Sequence, residues 1–262
     1  MNAASPYKIA VLDLYDGSAN MGMDCIHEIL LDWSNKANVA IQVAVFDVRA
    51  KNELPNQDFD LYISSGGPGS PIDTNELKWD KDYCNWLDQM FALKKPVLLI
   101  CHSFQLACRH FGIGSVGLRK SKQLGILPIH PTAAHPIFQA LPDPFFALES
   151  RLYQITEPND EKIQAIGASI IALEKIRPQL PYERALMAVA FNDNMIGVQF
   201  HPEATQERLV KYFESAPIKT AVVDDFSADK WDQIMLALQD HNKIEHTCSH
   251  FIPNFLHQML LA

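Results

Sequence analysis

Long hydrophobic runs, basic stripes and paired cysteines are all missing from this sequence. The first apolar run, residues 9–14, is far too short to span a membrane, and no charged leader with a long apolar core precedes it. The formal net charge of -9 and the lack of a basic stripe with interleaved aromatics argue against nucleic-acid binding. Five cysteines, odd in number and irregularly spaced, do not form a disulfide framework, so we expect a reducing cytoplasm.

Motifs for metals and cofactors are also scarce. The Gly-rich segment at residues 64–71 lacks the lysine of a phosphate-binding P-loop. The segment His246-Thr247-Cys248-Ser249-His250 does not have zinc-site spacing and has no second ligand pair nearby, so we predict a solvated loop there. We therefore expect no metal and no cofactor.

The remaining pattern is that of a globular α/β protein. Hydrophobic residues make up 48% of the 262 residues, enough for a substantial core. Predicted strands at residues 8–14, 39–46 and 60–63 alternate with amphipathic helices, which favours a doubly wound, mostly parallel, flavodoxin-like sheet with flanking helices. Further strands are predicted at residues 121–127, 145–148, 164–166, 170–173, 186–191 and 195–200, with a tight hairpin at 192–194.

The composition shifts near residue 216. We therefore divide the chain into a catalytic-type domain, residues 1–216, and a C-terminal helical extension, residues 217–262. The extension either caps the core or supplies an interface for a homo-oligomer, and the sequence leaves both alternatives open.

Cys101 lies where a short buried strand, residues 96–100, turns sharply into a helix. Such an elbow presents a nucleophile at the carboxyl edge of a sheet, and the first helical N–H groups favour a thiolate. The alternative is a buried core thiol, since free cysteine is among the most buried residue types.

Two further segments complete a catalytic constellation. Gly67 lies in the Gly-rich turn. The backbone N–H groups of this turn and of His102 are suited to bind an oxyanion. A plain surface turn is the alternative. His201 follows another predicted strand, and Glu203 comes two residues later. We predict Cys101 as nucleophile, His201 as general base and acid, and Glu203 as the group that orients the imidazole.

These pieces resemble the class I glutamine amidotransferase family. The resemblance covers roughly residues 7–215 and rests on Ser65-Gly66-Gly67-Pro68-Gly69, on Cys101 with Gln105, and on Gly197-Val198-Gln199-Phe200-His201-Pro202-Glu203. The segments at residues 134–138 and 141–142 resemble the GMP-synthase-like branch. The resemblance implies a flavodoxin-like fold, a Cys-His-Glu triad, and release of ammonia from glutamine through a γ-glutamyl thioester, with Gly66 and Gln105 near the substrate.

The sequence departs from the family pattern at two places. Leu99 and Ser103 stand where the family usually has glycine around the cysteine. Residues 149–153 replace a family segment that contains a histidine, and there Ser150 and Arg151 become the candidate substrate contacts, with Arg151 suited to a ligand carboxylate. A surface salt bridge is the alternative role for Arg151.

Three functions remain open at this stage. The first is glutamine hydrolysis, the second is the same thiol chemistry on another γ-glutamyl or acyl compound, and the third is a non-catalytic binding subunit of amidotransferase type. No ammonia-consuming domain fits in the chain, so the first function calls for a separate synthetase subunit or for a stand-alone hydrolase.

Overall fold

One mixed sheet lies at the centre of the molecule. In a computed structural model, which describes residues 5–176, 179 and 183–261, nine strands form this sheet in the order β2-β1-β3-β4-β9-β8-β7-β5-β6. The strands are β1 (Tyr7–Asp13), β2 (Ile41–Asp47), β3 (Leu61–Ser64), β4 (Val97–Ile100), β5 (Ser115–Pro131), β6 (Phe145–Thr156), β7 (Ser169–Glu174), β8 (Leu186–Ala190) and β9 (Met195–Val198).

Helices flank the sheet and form the C-terminal part of the chain. They are α1 (Gly22–Ala37), α2 (Lys78–Ala92), α3 (His102–Phe111), α4 (Asp160–Ile166), α5 (Gln206–Glu214), α6 (Ala216–Asp225), α7 (Ala228–Gln239) and α8 (His241–Leu260), with a 3₁₀ turn at Pro136–Phe138. Within the described ranges, none of these helices is long and apolar enough to cross a membrane.

The sheet has a parallel half and an antiparallel half. Strands β2, β1, β3, β4 and β9 are mutually parallel, and β8, β7, β5 and β6 extend the sheet by antiparallel pairing. Strands β3 and β4 are buried at every position, as expected for strands that are covered on both faces. The predicted α/β class and doubly wound sheet are confirmed.

Two hydrophobic clusters cover the two faces of the sheet. Successive strand residues alternate between them: Leu98 and Ile100 belong to one cluster, whereas Val97 and Leu99 belong to the other. This alternation sets which side chains near the elbow face α1 and the C-terminal helices and which face α2 and α3.

Two local predictions are wrong. Residues 164–166, predicted as a strand, end helix α4, which begins after an Asn159 side chain that accepts from the Lys162 N–H and stops at Gly167 with φ +72°. Residues 246–250, predicted as a solvated loop, lie within α8, where Thr247 and Cys248 are buried.

The predicted C-terminal helices are present as α6, α7 and α8. Helix α8 packs on the same hydrophobic cluster as the sheet, and the Phe251 ring lies 5.3 Å from that of Phe200 and 6.5 Å from that of Phe145, centroid to centroid. The last helix therefore covers the strand and loop that lead into His201.

Candidate active site

The predicted catalytic segments follow three neighbouring parallel strands. Strands β3, β4 and β9 are adjacent in the sheet, so their carboxyl ends lie side by side at one edge. The Gly-rich loop follows β3, Cys101 follows β4, and residues 199–203 follow β9. Side chains that are far apart in sequence thus meet at the sheet edge where ligands of α/β proteins bind.

Cys101 forms a strained elbow between β4 and α3. Its φ is 51° and its ψ is -97°, a backbone conformation that residues other than glycine rarely adopt. Backbone bonds on both sides hold the turn: the Cys101 N–H donates to Val198 O at 2.7 Å, and the Gln105 N–H donates to Cys101 O at 3.0 Å. Strain of this kind persists only where the surroundings impose it, and it is common at catalytic nucleophiles.

The two residues that depart from the family pattern both fit this elbow. The Ser103 hydroxyl donates to Ser64 O at 2.9 Å and accepts from the Ile100 N–H at 2.7 Å, which ties the elbow to the end of β3. Leu99 is fully buried and points into the cluster opposite Cys101. Its partner across the strands is Gly197, where a Cβ would lie 2.4 Å from the Phe104 ring.

His201 is held between Glu203 and Cys101. The ring atom Nδ1 of His201 lies 2.8 Å from Glu203 Oε1, and the backbone N–H of His201 donates to Leu148 O at 2.9 Å. Burial opposes a charge on the imidazole, but the Glu203 carboxylate and the Cys101 sulfur outweigh burial and raise the pKa of His201 well above its ordinary value. With Nδ1 engaged by Glu203, Nε2 is the nitrogen left for proton transfer.

Gly66 marks the point at which the side chains converge. A Cβ added there would lie 3.0 Å from His201 Cε1, 3.5 Å from Cys101 Cβ and 3.5 Å from Tyr15 Oη. The missing side chain at Gly66 thus leaves room for three groups that arrive from three different loops.

Gly67 brings the predicted oxyanion loop against the end of β1. A Cβ on this residue would lie 2.3 Å from Leu14 O, so the two segments approach this closely only because Gly67 lacks one. The Arg49 guanidinium clamps the same contact, donating to Pro68 O at 2.5 Å and to Leu14 O at 3.2 Å.

His102 contributes the first N–H group of α3, which a helix leaves without an intrahelical partner. Its imidazole is buried at 1% exposure, and Nε2 has no hydrogen-bond partner in the described part of the chain. Burial, assisted by the charges of Arg49 and Arg109, lowers the pKa of His102 to about 4, so this side chain is neutral at physiological pH.

A cavity of about 350 Å³ opens onto Cys101, His201 and Glu203. Its size is in the range of small-molecule sites. Ser150 and Gly67, two of the predicted contacts, lie in its wall, and the remaining wall is largely apolar, with Leu124, Leu148 and Phe213 among its residues.

Gln105 and Arg151 are placed differently from what the sequence suggested, since neither is among the described residues that line the cavity. Gln105 is buried and donates to Gln199 Oε1 at 3.1 Å. Arg151 is also buried, and its ion pairs with Glu149 at 2.8 Å and Glu174 at 3.4 Å occupy its guanidinium. The surface salt bridge considered for Arg151 is wrong, because both ion pairs are buried.

Sequence reasoning missed Tyr15, which lines the cavity. Burial raises the pKa of Tyr15 well above its ordinary value, and the charges of Glu203 and Cys101 act in the same direction, so the hydroxyl stays protonated as a hydrogen-bond donor. The Tyr15 ring packs on Gly22, where a Cβ would lie 2.3 Å from Oη. The glycine that opens α1 after a turn-prone segment was the available signal.

Cys25 is a second thiol in the cavity wall, and burial raises its pKa. Among the residues described, no group of three or more His, Cys, Asp or Glu side chains is arranged to hold a metal ion.

Comparison with known proteins identifies the family. The model of the family described as glutamine amidotransferase class-I matches residues 23–216. Because this match covers well over half of the chain, the protein belongs to the class I glutamine amidotransferase family.

Two curated relatives and one solved structure illustrate the similarity. The chain is 30% identical over 142 residues to a GMP synthase (glutamine-hydrolyzing) of Listeria innocua, covering 54% of this chain and 23% of that protein. It is 29% identical over 147 residues to anthranilate synthase component 2 of Lactococcus lactis, covering 55% of this chain and 65% of that protein. The chain therefore spans less than two thirds of the length of these two relatives.

A glutamine amidotransferase of Thermotoga maritima has a similar structure, with a TM-score of 0.70 at 15% identity, covering 99% of this chain and 100% of that one. At this identity, the likeness bears on the fold alone.

Proposed function

We propose that the protein hydrolyses the side-chain amide of glutamine through a γ-glutamyl thioester on Cys101. The observation that carries this proposal is the convergence of Cys101, His201 and Glu203 on one cavity, with the His201 imidazole anchored by Glu203. Membership of the class I family supports glutamine as the substrate.

The reaction begins with His201 accepting the thiol proton, after which the sulfur attacks the amide carbon. The N–H groups of Gly67 and His102 bind the oxyanion that forms. His201 then returns the proton to the amide nitrogen, the C–N bond breaks and ammonia leaves. Water, deprotonated by His201, attacks the thioester, and glutamate leaves as Cys101 regains its proton. Glu203 keeps the imidazole oriented throughout.

The test is a steady-state assay of ammonia and glutamate with the purified wild type and with Cys101→Ala. The proposal predicts equal amounts of the two products from the wild type and none from the variant. A wild type that releases neither product from glutamine would reject this substrate.

A second candidate is the same chemistry on another γ-glutamyl or acyl compound. The apolar side chains of Leu124, Leu148 and Phe213 beside the nucleophile favour it, because they suit an apolar leaving group better than they suit ammonia. A screen of γ-glutamyl amides and acyl-CoA donors for an adduct on Cys101 by mass spectrometry discriminates between the two. The third candidate, a non-catalytic binding subunit, predicts that a glutamine-analogue electrophile leaves Cys101 unlabelled.

We further propose that a separate synthetase chain consumes the ammonia, since one relative is by name a component of a synthase. The five unpaired thiols are consistent with a cytoplasmic location. Assembly through the C-terminal helices stays a proposal, which sedimentation of the purified protein tests.

A further inference from the structure

A chain of amide hydrogen bonds leads from the nucleophile into the sheet. Gln199 is fully buried, and its Nε2 donates to Cys101 Sγ at 3.6 Å. Its Oε1 accepts from Gln105 Nε2 at 3.1 Å. Gln105 lies one helical turn after Cys101, and its Nε2 also donates to Tyr153 O at 3.5 Å. Both glutamines are thus bonded inside the protein.

The chain of contacts fixes which way each amide points. The oxygen and nitrogen of a side-chain amide have nearly the same shape, so their bonding partners decide the orientation. The carbonyl of Tyr153 only accepts, which requires the nitrogen of Gln105 on that side. The same nitrogen donates a hydrogen bond to Gln199. Gln199 must therefore present its oxygen to Gln105 and its nitrogen to the sulfur of Cys101.

The carbonyl at the far end of this chain is itself anchored. Arg151 Nη1 donates to Tyr153 O at 3.4 Å, and the ion pairs of Arg151 with Glu149 and Glu174 keep its guanidinium in place. Arg151 thereby anchors the far end of the hydrogen-bond chain that leads to Cys101.

We propose that Gln199 is a further catalytic residue, which stabilises the Cys101 thiolate through its amide N–H, and that Gln105 is a positioning residue that fixes the orientation of the Gln199 amide. The proposal rests on the proposed function only in taking Cys101 as the nucleophile. If the Gln199 amide were reversed, its oxygen would face the developing negative charge on the sulfur and oppose it.

The experiment measures alkylation of Cys101 by iodoacetamide between pH 5 and 10, followed on its peptide by mass spectrometry. Cys84, which is half-exposed on α2, serves as a reference thiol in the same sample. The variant Gln199→Met keeps the length of the side chain and removes the donor. We expect its half-maximal alkylation to move to higher pH and its rate at pH 7 to fall about tenfold, as loss of one hydrogen bond to a charged group implies.

Gln105→Met should shift alkylation in the same direction by a smaller factor. The double variant should be no slower than Gln199→Met alone, because both changes remove one interaction. Gln154→Met is the matched control. Gln154 is half-buried on β6, and its Oε1 accepts a hydrogen bond from Arg119 at 2.6 Å rather than contacting Cys101. This variant should leave alkylation of Cys101 unchanged.

Additive effects in the double variant, or an unchanged Cys101 profile in a folded Gln199→Met protein, would overturn the proposal. If Gln199→Met does not fold, Gln199→Asn tests the same point, because it retracts the donor by one methylene and keeps the polarity. Failure of the proposed function can be told apart from failure of this proposal. A shifted alkylation profile without hydrolysis of glutamine supports the role of Gln199 and rejects the proposed function. Hydrolysis with an unshifted profile rejects only the role of Gln199.

Discussion

At the scale of single residues, the surroundings shift the pKa values of the two histidines of the site in opposite directions. The charges of Glu203 and Cys101 outweigh burial and raise the pKa of His201, whereas burial lowers the pKa of His102, one residue past Cys101, and keeps that imidazole neutral. Their neighbours, and not their place in the sequence, set this difference.

The charge of Glu203 is expected to set the alkaline limit of activity. Because Glu203 raises the pKa of His201, Glu203→Gln should move the alkaline limb of the kcat/KM profile to lower pH. It should also lower the maximum by about 100-fold, the scale of general acid–base catalysis. Ammonia release measured from pH 5 to 10 checks both effects, with the limbs assigned to the coupled pair of Cys101 and His201. An alkaline limb that stays in place in the variant contradicts this role.

The neutral imidazole of His102 makes stability depend on pH. The pKa of His102 is lowered to about 4 in the folded state, so between about pH 6.5 and 4 the unfolded chain binds the proton and the folded chain does not. The contribution of neutral His102 to the free energy of unfolding is therefore complete above about pH 6.5 and is lost as the pH falls from about 6.5 to about 4. Between pH 7 and pH 5 the wild type should lose about 2 kcal/mol more than His102→Gln, measured by urea unfolding.

Other titrating groups are common to both proteins and cancel in this comparison, including His201, whose stabilising effect is complete below about pH 6.5. Equal losses in wild type and variant would show that His102 is not held neutral.

At the scale of elements, the start of α1 determines whether Tyr15 reaches the cavity. The variant Gly22→Ala introduces a Cβ 2.3 Å from Tyr15 Oη, so the ring must leave its position. Alanine is compatible with the helix, so we expect unchanged far-UV circular dichroism together with a fall in kcat/KM of about tenfold, the scale of one hydrogen bond. The matched variant Tyr15→Phe should show a similar fall without moving the helix. Full activity in both variants would remove Tyr15 from the site.

The convergence of the predicted site segments could be foreseen, because each segment follows a strand of the parallel half of the sheet. Strands β3, β4 and β9 lie side by side, so their carboxyl ends bring Gly67, Cys101 and His201 to one edge. Burial of Arg151 could also be foreseen, because successive side chains of a strand point to opposite faces of the sheet. Ser150 and Arg151 are neighbours in β6 and must face opposite sides, so only one of them can line the cavity.

Other features depend on partners that no local pattern specifies. The Gln199–Gln105 chain needs two elements 94 positions apart to meet. The wrong predictions had local signals of their own: Asn159 and Gly167 bracket helix α4, and Ile244, Cys248, Phe251 and Phe255 recur at helical spacing in α8.

At the scale of the whole molecule, the C-terminal helices share a hydrophobic core with the segment that carries the candidate active site. Phe251 of α8 packs on Phe200, the residue before His201, and both belong to one hydrophobic cluster. We therefore expect the sheet and the C-terminal helices to unfold in one transition, although the sequence divides the chain near residue 216.

The variant Phe251→Ala tests this expectation by thermal unfolding. Loss of a buried phenylalanine lowers stability by about 3–5 kcal/mol, which for a chain of this length lowers the melting temperature by roughly 10 °C. Activity and far-UV circular dichroism should be lost together. Leu236→Ala on α7 is the control, because Leu236 is 69% exposed and its loss should change the melting temperature little. Two separate transitions, with only one of them shifted, would show an independent C-terminal unit.

In the proposed reaction, Cys101 carries the acyl group during hydrolysis. The most direct test of this step is rapid acid quenching of the wild type during turnover of glutamine, followed by mass spectrometry of the intact protein and its peptides. We expect a γ-glutamyl adduct confined to the peptide that contains Cys101, and no adduct on Cys101→Ser. Ammonia release at an undiminished rate by Cys101→Ser, or an adduct on another residue, would contradict this role of Cys101.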